Sequence, residues 1–127
     1  LEVLPEKFPV CKLKEPADAR LGEFCFLAGT DRELSMVCPT ALVPERTAAR
    51  EDGWRGFRIA GTLDFALTGI LAGITSVLAG REIGVFAVST FDTDYLLVRA
   101  DDLERALTAL EESGIADFSF LPGKDLL

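Results

Sequence analysis

With 127 residues, 49% of them apolar, the chain can bury a core as one compact domain or two very small ones, and it is too apolar for disorder. A net charge of −8, with no cluster of Lys and Arg, excludes nucleic acid and anionic membrane surfaces as partners. The chain has no histidine, so Ser-His-Asp and Cys-His catalysis cannot be assembled within it, and the commonest metal ligand is missing.

In chain order, residues 9–13, 23–28 and 33–38 read as strands, with a tight turn at 29–32 between the last two. Residues 14–22 hold a short helical turn. Residues 40–53 hold another, or a polar loop in which Glu45, Arg46, Arg50 and Glu51 form a solvated face. Cys11, Cys25 and Cys38 are odd in number, lack a CxxC pair and sit among apolar neighbours. They are expected as buried, reduced thiols, which points to a reducing cytosol. No secretory leader is visible, which also fits the cytoplasm.

Past a boundary at Asp52–Gly53 the rhythm is clearer. Residues 54–60 alternate as a half-buried strand does, with Trp54 as an expected core anchor. Asp64 stands where a cap would, and Leu67, Ile70, Leu71, Ile74, Val77 and Leu78 recur at helical spacing over a 66–80 helix. This uncharged run falls short of the roughly 20 residues of a membrane span. Gly69 and Gly73 give the helix a small-residue face suited to core or dimer packing. Two strand-like runs, 84–88 and 95–99, flank a polar corner. A second helix follows, capped by Asp101 or Asp102, with Leu103, Ala106, Leu107 and Leu110 on one face and Ser113–Gly114 at its end. Residues 118–121 make a final strand. Strand, helix, strand, strand, helix, strand is the ferredoxin-like βαββαβ order, an α+β fold in which two helices cover one face of a four-stranded antiparallel sheet. The first half reads as a shortened copy, giving modules at 1–52 and 53–127.

The corner Ser89-Thr-Phe-Asp-Thr-Asp94 concentrates two carboxylates and two threonine hydroxyls in a hairpin link. By chemistry alone it is a solvated turn or a wall facing a small polar ligand. The amides of Leu67, Thr68 and Gly69, at the start of the helix, suit a ligand carboxylate, and Asp94 or Asp64 suits an ammonium. Asp64 could equally serve as a helix cap.

Asp64-Phe-Ala-Leu-Thr-Gly-Ile-Leu71 together with Val88-Ser-Thr-Phe-Asp-Thr-Asp-Tyr-Leu-Leu-Val98 resembles the ACT-domain family. The resemblance extends to the small bacterial ACT proteins related to CASTOR-type arginine sensors, with Glu33-Leu-Ser-Met-Val-Cys-Pro39, Val43-Pro44 and Gly53-Trp-Arg55 matching their N-terminal half. It implies two tandem ACT-like modules with antiparallel sheets, a non-catalytic sensor or regulator without cofactor, and an amino acid bound at an interface between modules. Residues 62–69 would provide one wall and 90–94 the other. Thr90, Phe91 and Asp94 match sensor residues that touch the ligand. The chain departs at Asp92 and Thr93, so the resemblance implies an amino-acid ligand without implying arginine. The site residues it implies are Asp64, Leu67, Thr68, Gly69, Thr90, Phe91, Thr93 and Asp94, in a homodimer. Two alternatives stand beside it: a metal-dependent enzyme using Asp64, Asp92 and Asp94, and an interaction module that binds nothing small.

Overall fold

A computed structural model describes residues 1–59, 69–115 and 118–122. The chain divides into two compact units, Glu6–Trp54 and a discontinuous one made of Leu1–Pro5 with Arg55–Leu127. The fold is α+β, with two sheets and few helices.

The smaller unit holds β2 (Val10–Lys12), β3 (Phe26–Gly29), β4 (Leu34–Val37) and β5 (Ala49–Glu51), all paired antiparallel in the order β3-β4-β2-β5. Three-residue 3-10 turns at Pro16–Asp18 and Thr40–Leu42 stand where a ferredoxin-like module carries helices. Read by chain position, the strand order is that of a βαββαβ sheet, so the abbreviated module is real. The helical turn read within 40–53 is present at Thr40–Leu42, and strand β5 is an addition that the sequence reading lacked. All three of its residues are exposed, so it carries no alternation to read. Cys11, Leu13, Met36 and Cys38 form the buried core of this unit.

The larger unit has a five-stranded sheet where sequence predicts four. Its strands are β1 (Glu2–Lys7), β6 (Trp54–Arg58), β7 (Phe86–Ser89), β8 (Asp94–Arg99) and β9 (Ser119–Phe120), in the order β7-β8-β6-β1-β9. The additional strand, β1, inserts between β6 and β9 and pairs parallel with β9, Glu2 opposite Ser119 and Val3 opposite Phe120. This parallel pair departs from the expected all-antiparallel sheet. The first strand, grouped by sequence with the N-terminal module, thus lies in the sheet of the C-terminal one. Pro5 and the consecutive burial of Val3 and Leu4 hide it, since neither reads as a strand signal. Pro5 is tolerated because Leu1 and Val3 already turn their carbonyls to β9, accepting from Ser119 and Leu121 at 2.8 and 2.9 Å. Pro5, two residues on, faces the same side beyond the end of β9.

Helices α1 (Ile70–Gly80) and α2 (Leu103–Ser113) cover one face of this sheet. A single core joins Val3, Phe57, Leu96 and Val98 from the strands to Ile74, Leu78, Leu103, Ala106, Leu107 and Leu110 from the helices. Burying each such side chain contributes about 1.5–3 kcal/mol. Phe57 is the fully buried anchor of β6, whereas Trp54, expected in that role, is half-buried at its start. The Asp101 or Asp102 cap is not formed. The chain enters α2 through a 3-10 turn, Ala100–Asp102, and Asp102 Oδ1 instead accepts from Arg105 Nη2 at 3.0 Å. Gly114 closes α2 at φ 71°, as the sequence predicts. Among the described residues no helix is long and apolar enough to cross a membrane.

Candidate functional site

The β7–β8 link is built by its hydroxyls. Register places Ser89 opposite Asp94, leaving residues 90–93 as the turn. The Thr90 amide and Thr90 Oγ1 both donate to the Thr93 carbonyl, at 2.8 and 3.1 Å. Thr93 Oγ1 donates to the Ile59 carbonyl at 2.8 Å, and the Ile59 amide donates to the Asp94 carbonyl at 3.1 Å. The residue after β6 is thereby held by two consecutive residues, Thr93 of the turn and Asp94 at the start of the next strand. Ser89 Oγ donates to Asp94 Oδ1.

These contacts give the predicted residues different places. Thr90 and Thr93, with Asp92 between them, line an open groove of about 330 Å³. Asp94 is buried, its carboxylate engaged by Ser89, and it does not line the groove. Phe91 projects from the corner, fully exposed. Gly69 is the residue before α1, at φ 109°, and it too is absent from the groove lining. That left-handed conformation precedes the helix, which starts at Ile70, so its first-turn amides are those of Ile70, Leu71 and Ala72. Asp64, Leu67 and Thr68 lie outside the described residues.

Beyond Thr90, Asp92 and Thr93 the groove is lined by Ile59, just after β6, and by three charged or polar residues outside the sequence-derived set: Glu2, Arg58 and Tyr95. They meet only because β1 inserts beside β6, placing Glu2 next to Arg58, whose Nε donates to Glu2 Oε1 at 2.9 Å. A hydrogen bond with Tyr95 and then that with Glu2 raise the guanidinium pKa, so Arg58 stays charged. The one signal available in the sequence was a charged residue at the end of a strand running into the 62–69 loop. Glu2 and Arg58 are both partly shielded, with side chains 26% and 29% exposed, so this pair is less screened than a surface ion pair.

A second depression, of about 380 Å³, lies on the sheet of the smaller unit beside Cys11, Lys12, Glu33 and Arg50. Its polar groups are engaged locally, Ser35 Oγ donating to Glu33 Oε1 at 2.6 Å and Arg50 Nε to Asp52 Oδ1 at 3.0 Å. Cys11 and Cys38 are buried free thiols, but Cys25, expected to be buried too, is partly exposed. Burial raises all three thiol pKa values, that of Cys38 to about 12, which keeps them protonated and poor nucleophiles. Among the described residues no group of three His, Cys, Asp or Glu side chains can hold a metal ion.

The ACT-domain family profile matches residues 49–112, which include β6, α1, the groove corner and nearly all of α2. The chain belongs to the ACT-domain family. ACT domains are regulatory ligand-binding modules rather than catalysts. A crystal structure of an Agrobacterium tumefaciens protein is similar over 98% of this chain and 94% of its own, at 34% identity and TM-score 0.85. A Vibrio cholerae protein of unknown function shares the fold over 87% of this chain and 85% of its own, at 17% identity and TM-score 0.68. Clostridium acetobutylicum aspartate kinase, an allosteric enzyme, shares it at 11% identity and TM-score 0.58, over 85% of this chain and 33% of the kinase. No curated protein matches the chain.

Proposed function

We propose that this ACT protein is a non-catalytic cytoplasmic sensor that binds a free amino acid at the β7–β8 corner and passes its occupancy to a regulatory partner. The carrying observation is the groove at Thr90, Asp92 and Thr93, a polar recess on the hairpin turn within the ACT-matched segment, where the sequence resemblance implies a ligand wall. Threonine hydroxyls fixed by hydrogen bonds to backbone carbonyls, beside the Asp92 carboxylate, suit a small zwitterion, because the turn is ordered before the ligand arrives. The groove is open on one side, and Phe91 stands fully exposed beside it. In this reading a second copy of the chain covers the corner, so that the protein is a homodimer with its ligand at an interface between ACT modules. Kinship with bacterial relatives of the arginine sensors fits the corner sequence, with Asp92 and Thr93 altering the ligand.

Thermal-shift measurements across the standard L-amino acids test the reading. A ligand at about 100 times its Kd adds roughly 2.7 kcal/mol to stability, a clear rise in Tm. A flat panel would leave a module that binds no amino acid. Light scattering that finds only monomer at high micromolar concentration would remove the dimer.

A further inference from the structure

The groove contains one guanidinium, Arg58, and two carboxylates, Glu2 and Asp92, alongside the Thr90 hydroxyl and the Tyr95 ring. The carboxylates are not equivalent. Glu2 is bound to Arg58 at 2.9 Å and is partly shielded. Asp92 is exposed on the turn and makes no ion pair among the described residues. Arg58 is held by Glu2 through Nε and by a hydrogen bond with Tyr95, and its planar guanidinium lines the recess. The recess therefore offers a restrained cation and an exposed anion within one small volume.

We propose, building on the amino-acid reading above, that Arg58 receives the ligand's α-carboxylate and Asp92 its ammonium, and that Glu2 positions Arg58 and excludes ligands carrying a further negative charge. In this assignment the helix N-terminus does not supply the carboxylate site, since Ile70, Leu71 and Ala72 of its first turn do not line this recess. The ligand class is an α-amino acid with a neutral or cationic side chain. Aspartate and glutamate are disfavoured because a side-chain carboxylate would face Glu2 and Asp92 together, and like charges at close range repel strongly where water is partly excluded.

Calorimetry on the full chain tests this with the strongest binder of the amino-acid panel, its α-carboxamide and its des-amino acid. Arg58→Gln is expected to weaken the parent amino acid by about ten- to a hundredfold while leaving the already weak carboxamide unchanged. Asp92→Asn should weaken the parent similarly and leave the des-amino acid unchanged. Asparagine and glutamine should bind at least about tenfold more tightly than aspartate and glutamate. Glu2→Gln should narrow that gap, a change of selectivity that a merely structural role would not produce. If Arg58→Gln lowers the urea midpoint, Arg58→Lys, which keeps the charge, and Asp92→Asn on the exposed turn still decide the matter. An amino acid that binds with affinity indifferent to both Arg58→Gln and Asp92→Asn overturns this assignment and leaves the sensor reading standing. Absence of binding by every amino acid overturns both.

Discussion

Thr93→Val isolates the contact that fixes the corner. The substitution keeps the β-branched shape and deletes only the hydroxyl, which donates to the Ile59 carbonyl at 2.8 Å from a residue 8% exposed. Ile59 is itself 6% exposed, so its carbonyl loses a partner in a place that water reaches poorly. Leaving a buried acceptor unsatisfied costs about 1–3 kcal/mol. The adjoining groove lets some water approach, and the Ile59 amide keeps its bond to Asp94, so the lower half of that range, about 1–2 kcal/mol, is expected. For a chain of this size that is a fall in Tm of roughly 3–10 °C and a lower urea midpoint at unchanged slope. Thr93→Ser keeps the donor, loses a methyl group and should cost about 1 kcal/mol or less. Urea unfolding followed by circular dichroism measures both. If Thr93→Val is as stable as the parent while Thr93→Ser is not, the methyl rather than the hydroxyl holds the corner, and the hydrogen-bond argument fails.

Gly69→Ala should destabilise by about 1 kcal/mol, because φ 109° strains any side chain, whereas Gly73→Ala should be neutral or stabilising by up to about 1 kcal/mol. Among the described residues an alanine Cβ at Gly73 meets Ile115, with Cδ1 at 3.6 Å and Cγ2 at 4.0 Å, and chemical denaturation ranks the two variants. Deleting residues 1–7 removes Val3 and Leu4, both fully buried, for a loss of roughly 3–6 kcal/mol before the strand's hydrogen bonds are counted. Near-ultraviolet circular dichroism should show the larger unit losing fixed tertiary structure, and an intact cooperative transition would contradict the five-stranded sheet. Cys38 contributes pH-dependent stability. Its folded pKa, about 12, lies above the ordinary 9.0, so the contribution is full below 9.0 and is lost as pH rises toward 12. The slope is roughly 1.4 kcal/mol per pH unit for this thiol, and the difference in pH slope between parent and Cys38→Ala checks its sign.

Elements whose burial follows a regular period were legible in the sequence. Leu103, Ala106, Leu107 and Leu110 mark α2, and Ile74 with Leu78 mark α1, because a helix packed on a sheet must repeat its apolar face. Strands β1 and β5 were not legible, for opposite reasons. Val3 and Leu4 are buried in succession beside a proline, and no residue of β5 is buried at all. The Asp102 cap failed because Arg105 competes for the carboxylate. The corner at 90–94 was legible as a hairpin, yet the division of labour within it was not. Asp92 and Asp94 look alike in sequence, but only the register, Ser89 against Asp94, sends one carboxylate to a hydroxyl and leaves the other facing the groove. Arg58 and Glu2 are 56 positions apart and meet through a strand insertion that no local pattern encodes.

Because β1 belongs to the sheet completed by β9, biosynthesis and folding run out of step. The strand is translated before the whole Glu6–Trp54 unit, yet it finds β6 only after that unit has been made, and β9 only once Ser119 is translated. The intervening unit pairs its own strands over short separations and can close while the rest is still being added. Meanwhile Val3 and Leu4 have no sheet to enter. They form a sticky segment whose shelter arrives only with β6 and β9, and slow translation through residues 59–118 would lengthen that exposure.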